Sequence, residues 1–297
     1  MKNKLTIIVL TSLSFGLLAC EKQLIFDNTN FEEQTVLYAI LNSEEPVHLI
    51  VDKTFPSIGK VYPDYTNFEP IVLLYENEKL VETLKNIGQN NFASKTLIPN
   101  PEFTYKVEVK NNNQSIITPE IKFVEKPIVK GIHDLIEVES PFGNSKAYSL
   151  EIEVKISDFT NPFYAMQIVG LNGNEVIPVN VFHPYKSNEI GDPCGQLVNY
   201  GIYWYDSSCA TDSILRLNLG FEIRGYSQKL SKYVEIPKIK IKVQHISESY
   251  KSLISDFLPE GIERIFNNVS NSYSNIENGL GVAGSINQVS YEININK

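Results

Sequence analysis

Cysteine is almost absent from this chain, with three in 297 residues: Cys20, Cys194 and Cys209. So few thiols exclude a disulfide-dense scaffold or a zinc ribbon, which need four or more Cys or His at short fixed spacings. Histidine is nearly as scarce. His48, His133, His183 and His245 lie far apart, and only His183 comes near a later cysteine, so no metal site is expected. His133-Asp134 makes no dyad, because neighbours along a strand point to opposite faces. Catalytic signatures are missing too: no Gly-x-Ser-x-Gly, His-Glu-x-x-His, P-loop or calcium-loop spacing occurs. The expectation is a protein that is not an enzyme and carries no cofactor. A hydrolase built on scattered carboxylates is the alternative that sequence leaves open, since such a pair is set by separation in space.

Positive charge is also in deficit: 26 Lys and Arg against 35 Asp and Glu, a net −9. That excludes nucleic acid, whose affinity rests on cations neutralising phosphates. There is no polybasic run for anionic lipid, and beyond residue 18 no apolar run long enough to span a bilayer.

What is present starts at the amino terminus. Lys2 and Lys4 precede a short apolar stretch, Leu5 to Leu18, which ends in Leu17-Leu18-Ala19-Cys20. This has the length of a signal-peptide core and is too short for a permanent membrane helix. A small residue followed by cysteine resembles the bacterial lipobox, in which the cysteine is acylated and the signal is cut just before it. Residues 1–19 are therefore expected to be a lipoprotein signal peptide and Cys20 the lipidated residue. Without that leader, 24 basic face 35 acidic residues, a net −11. Cys194 and Cys209 are left as a candidate disulfide closing a loop worth roughly 3 kcal/mol; two free thiols are the other reading.

Residues 20–33 are polar and read as a tether. Strand signals then follow one another: Thr35 to Leu41, Val47 to Phe55, Pro70 to Tyr75, Leu80 to Leu84, Phe103 to Val109 and Ser115 to Val124. Glu76-Asn77-Glu78-Lys79 reads as a hairpin turn. These predict an N-terminal β-sandwich over residues 34–125, of immunoglobulin-like size, with a boundary at Glu125-Lys126-Pro127. Residues 126–297 repeat the pattern. Tyr148 to Ile156 and Ile239 to Val243 alternate apolar with polar. Tyr250, Leu253, Ile254, Phe257 and Leu258 then form a helical stripe at about residues 247–258, with Ser247 placed to cap it and Pro259 and Gly261 to end it. The fold class is mainly β: two antiparallel sandwich-like domains and one amphipathic helix near the C-terminus.

Tyr200, Tyr203, Trp204 and Tyr205 crowd four aromatics into six positions. They are candidates for ligand or partner binding, since Tyr and Trp dominate contact hot spots, with burial inside a strand pairing as the favoured alternative. Tyr273 to Gly284 breaks the sandwich pattern with closely spaced glycines. It reads as a tight conformation packed against the domain, ahead of a last strand at Val289 to Ile293.

Ser274-Asn275-Ile276-Glu277-Asn278-Gly279-Leu280-Gly281 resembles the closing motif of the domain of unknown function 4249 family, lipoproteins of Bacteroidota. Tyr75-Glu76-Asn77-Glu78-Lys79-Leu80 is similar to that family's hairpin, with Glu78 where glycine is usual, and Ala283 stands where an aromatic is common. The resemblance covers about residues 34–295. It implies an outer-membrane lipoprotein, cell-surface facing and often encoded beside a TonB-dependent receptor of the Sus type. With the anchor and a two-sandwich body lacking a catalytic constellation, that neighbour leads to the expectation of a non-enzymatic accessory subunit of the transporter, helping substrate capture or uptake. A structural or adhesive surface protein that binds glycan or protein is the alternative.

Overall fold

The computed structural model describes residues 33–54, 65, 68–111, 114–143, 145–156, 163–182, 195–198, 202–207, 213–257 and 273–295. The expected signal peptide, Cys20, the tether up to residue 32, His183, Tyr200, both candidate disulfide cysteines, Leu258, Pro259 and Gly261 lie outside these residues. The described residues within 34–53 and from 65 onward make up one compact unit.

The molecule is mainly β. Its first half contains β1 (Thr35–Asn42), β2 (His48–Lys53), β3 (Ile71–Glu76), β4 (Lys79–Gly88), β5 (Asn91–Ala93), β6 (Tyr105–Asn111) and β7 (Gln114–Ile117). Next come β8 (Ile128–Ile132), β9 (Ile136–Glu139), β10 (Lys146–Lys155), β11 (Phe163–Asn172), β12 (Glu175–Pro178) and β13 (Val181–Phe182). The rest is β14 (Gly195–Val198), β15 (Ile202–Asp206), β16 (Ile214–Glu222), β17 (Arg224–Ser227), β18 (Lys232–Glu235), β19 (Lys238–Ile246), helix α1 (Glu248–Phe257) and β20 (Leu280–Asn294). Among the described residues one continuous sheet runs β14-β15-β11-β19-β20-β1-β2-β5-β4-β3-β6-β7, a second runs β13-β16-β10-β8, and β17 pairs with β18 alone.

Alternation explains the packing. On β1 every second residue, including Leu37, Ala39 and Leu41, is buried, and β6 buries Tyr105, Val107 and Val109. These meet Leu49, Val51, Val72 and Leu74 in a first core. Leu150, Ile152 and Val154 of β10 and Leu215, Leu217 and Leu219 of β16 close over Met166, Ile168, Ile239 and Ile241 in a second. Each fully buried Leu or Ile contributes about 2 kcal/mol.

Most of the first core lies before residue 126 and the second lies after it. Ile276 and Ala283 pack into the first. Strand β20 accounts for this. Leu280 to Ile286 pair in parallel with β1, and Ile286 to Asn294 pair antiparallel with β19. The last strand thus starts at Leu280 rather than Val289, and both halves share it. The connection between them is stitched to the same strand. Ser285 Oγ donates to the Lys122 carbonyl, Asn287 Nδ2 to the Val124 carbonyl, and His245 Nδ1 meets the Glu125 carbonyl at 2.8 Å. These backbone acceptors lie away from strand ladders, so side chains must satisfy them. Nor does Ser115 to Val124 form one strand. Β7 stops at Ile117, where Thr118 Oγ1 accepts from the Val107 amide and Pro119 has no N–H to continue the ladder.

Two glycines of β20 have a steric reason. Gly281 has φ +116°, and a Cβ there would lie 2.0 Å from the Leu37 carbonyl oxygen. A Cβ on Gly284 would lie 2.6 Å from Ser247 Oγ. Asn275 serves as a one-residue strand: its Oδ1 accepts from the Ala283 amide, and its Nδ2 donates to the Ala283 carbonyl, both at 2.8 Å. The helix appears where its stripe predicts. The Ser247 carbonyl accepts from the Lys251 amide, which sets it at the cap position. Its hydroxyl, however, accepts from the Ser285 amide, so it fastens α1 to β20 instead of capping.

Candidate functional site on the outer face of the first sheet

β3, β6 and β7 turn one face to the core and the other outward. Their register places Tyr75 opposite Lys106, and Glu108 opposite Ile117, so these four side chains share the outer face. With Glu78 from the β3–β4 turn they line an open depression of about 270 Å³.

Its centre is Glu108. Tyr75 Oη donates to Oε2 at 2.7 Å, Ser115 Oγ donates to Oε1 at 3.0 Å, and Lys110 Nζ lies 3.3 Å from Oε1. Burial pushes the Glu108 carboxyl up, but the donors from Tyr75, Ser115 and Lys110 outweigh it and hold the group below the ordinary glutamate range. The same hydrogen bond to Glu108, together with burial, raises the Tyr75 phenol. At neutral pH the site therefore presents a fixed carboxylate, a protonated phenol, the Lys106 side chain and the apolar Ile117. A carboxylate held ionised is a poor general acid.

A folded-state pKa below the unfolded value of about 4.3 means Glu108 contributes stability fully above that value. The contribution is lost as pH falls through the folded pKa. Tyr75→Phe removes one donor to the carboxylate, so the Glu108 carboxyl carbon, followed by NMR, is expected to titrate at a higher pH in the variant. An unchanged midpoint would show that Ser115 and Lys110 alone set it.

The rim is strained. Asn77 and Glu78 occupy the turn with φ +45° and +66°, the left-handed pair of a two-residue hairpin. Asn77 tolerates this and its Oδ1 accepts from the Thr104 amide. Glu78 has no comparable reason. Glu78→Gly is expected to stabilise the protein by about 1 kcal/mol, read as a higher denaturant midpoint. A lower midpoint would mean the Glu78 side chain makes up for its backbone.

Three of the four aromatics named as binding candidates lie inside, as the favoured reading of a strand pairing expects. Tyr203, Trp204 and Tyr205 sit on β15, pair with β11, and are only 3%, 7% and 8% exposed. Tyr203 and Tyr205 belong to the second core, and Trp204 packs with Phe163, Ile246 and Ile286. Strand pairing on both edges of β15 draws alternate residues to opposite covered faces, so burial prevails over recognition at these three positions. Histidine, scattered in sequence, does meet carboxylates at His133. His133 Nε2 lies 3.6 Å from Glu151 and 3.8 Å from Glu153, on the outside of the second sheet. Arg216 Nε already donates to Glu153 at 3.2 Å, which makes this an exposed charge ladder. Glu108 itself was missed in the sequence, because its partners Tyr75 and Ser115 come from other strands.

The profile of the domain of unknown function DUF4249 matches residues 21–292. The chain belongs to that family. The stretch that resembles the family's closing motif ties Asn275 to Ala283 and starts the pairing of β20 with β1, and the stretch that resembles its hairpin forms the rim of the depression. No curated protein matches the chain. Among solved structures, one from Corynebacterium diphtheriae, described as "Putative membrane anchored protein", aligns at 9% identity and TM-score 0.19. The alignment covers 88% of this chain and 59% of that one, and likeness at this level carries no argument. Among the described residues no helix is long and apolar enough to cross a membrane.

Proposed function

We propose that this DUF4249 protein is an outer-membrane lipoprotein, anchored through acylated Cys20, that docks on a TonB-dependent transporter and helps its substrate bind or enter. The observation that carries the reading is the depression over Tyr75, Lys106, Glu108 and Ile117. A ring, an aliphatic wall, a fixed carboxylate and a nearby lysine suit the holding of a polar solute better than proton transfer. The lipobox-like Leu17-Leu18-Ala19-Cys20 supports the anchor, and the resemblance in the closing motif and hairpin supports the partner. An open site on a sheet face also suits an adhesive role towards glycan or protein on a neighbouring surface.

The test is affinity purification of the tagged full-length lipoprotein from mild-detergent membranes that contain the receptor. Recovery of a β-barrel receptor in stoichiometric amount is the expected result. A monodisperse lipoprotein without any barrel, across several detergents, would favour the adhesive role.

A further inference from the structure

Strands β17 and β18 form a two-stranded ribbon that joins neither larger sheet. Its inner face is fixed to the body. A Cβ on Gly225 would lie 2.4 Å from Ile177 Cγ2 and 2.7 Å from the Pro178 carbonyl, so the ribbon lies flat on β12. Its turn is held by Glu175, which accepts from Ser227 Oγ at 2.6 Å and from the Lys229 amide at 3.1 Å. The Leu230 amide in turn donates to Ser227 Oγ at 3.0 Å.

The outer face presents unusual chemistry for a surface. Tyr226 and Tyr233 are cross-strand partners with centroids 5.4 Å apart at 75°, and the Arg224 guanidinium lies 5.5 Å from the Tyr233 ring centroid. These rings are 47% and 63% exposed, and Leu230 at the tip is 49% exposed. Lys229 and Lys232 flank that leucine, both exposed. Three cations and a single anion, Glu235, fall within residues 224–235 of a chain whose net charge is −9. An apolar tip, amphipathic phenols behind it, and long cationic stems that reach polar headgroups form the profile of an interfacial contact. A stable protein interface buries about 800 Å² on each partner, more than a twelve-residue ribbon readily offers.

We propose that the β17–β18 ribbon is a peripheral contact for an anionic lipid surface. Leu230 enters the headgroup region, Tyr226 and Tyr233 sit at its edge, and Arg224, Lys229 and Lys232 meet phosphates. Only three cations take part, so the contact is weak and salt-sensitive, and it orients a body already near a membrane. The inference depends neither on the lipid anchor nor on the transporter.

The experiment uses the chain from residue 21 onward, which lacks Cys20 but holds every described strand, and sedimentation with vesicles. Binding to phosphatidylcholine vesicles containing a third phosphatidylglycerol is expected at low salt, with little binding to phosphatidylcholine alone. Each lysine near such a surface is worth about 1 kcal/mol, so K229Q/K232Q is expected to weaken partitioning on the order of thirtyfold. Leu230→Gln is expected to weaken it further, and both variants should melt like the parent because all three side chains are exposed. A tryptophan introduced as Tyr226→Trp should be quenched by brominated lipid. Absence of binding, equal binding to both vesicles, or binding indifferent to these substitutions would overturn the proposal. If the same substitutions release a membrane protein partner while vesicle binding is absent, the ribbon is a protein-docking surface instead.

Discussion

Gly281→Ala is expected to cost about 3–5 kcal/mol, a large share of the 5–15 kcal/mol by which domains are ordinarily stable. Two separate penalties combine. At φ +116° an alanine occupies backbone space that L side chains rarely adopt, worth about 1–3 kcal/mol. Its Cβ would also lie 2.0 Å from the Leu37 oxygen and 2.7 Å from the Leu37 carbonyl carbon. Those atoms are backbone inside a sheet and cannot turn aside as a side-chain tip can, so overpacking adds about 1–3 kcal/mol. A chain this long loses about 2–4 °C of Tm per kcal/mol, so the melting point should fall by roughly 10–15 °C, or no soluble protein should accumulate. Gly173→Ala separates the penalties, because Gly173 has φ +62° but nothing within 4 Å of its added Cβ. It should cost about 1 kcal/mol. Equal losses at the two positions would show that the contact with Leu37 relaxes freely.

Cys20→Ser is expected to remove the protein from the membrane fraction or to leave residues 1–19 uncut. A single acyl chain gives only marginal, reversible attachment, and stable anchoring needs two signals, so a chain with no acylation site should redistribute almost completely. The measurement is fractionation of cells with a carbonate wash, combined with mass spectrometry of the N-terminus. A Cys20→Ser chain that is cleaved yet resists carbonate would rule out the acyl anchor. Retention that salt removes is a different result, and is what the ribbon alone would give.

Much of the fold was legible wherever a strand has one wet face. β1, β10 and β19 alternate, and their ends came within three residues of the expected ones. The helix was legible for the matching reason, a stripe at 3.6-residue spacing. β20 was not. From Gly281 to Gln288 its residues are buried one after another, because cores or connections cover both faces, so no period of two remains to be read. Its glycines and its Asn287 and Gln288 look like loop residues, yet Gln288 is fully buried and accepts from Asn42 and Gln244. The depression was illegible for another reason. Tyr75, Glu108 and Ile117 are neighbours only through the pairing of three strands, and sequence spacing carries no trace of that register. The ribbon was passed over because Tyr226 and Tyr233 stand singly among polar residues, while the denser cluster at 203–205 drew notice and proved to be interior.

The parallel pairing of Val36 with Leu280 also sets an order of events. β20 follows every other described strand in the chain, yet the sheet of the first core is incomplete until it arrives. Strand pairings so distant in sequence form slowly, since the whole intervening loop must close first. A nascent chain stopped anywhere before residue 280 therefore exposes an unpaired edge on β1 and cannot reach a closed first core. Under the export proposed above, this delay would be protective: the long-range clasp would keep the chain threadable until its final segment is made.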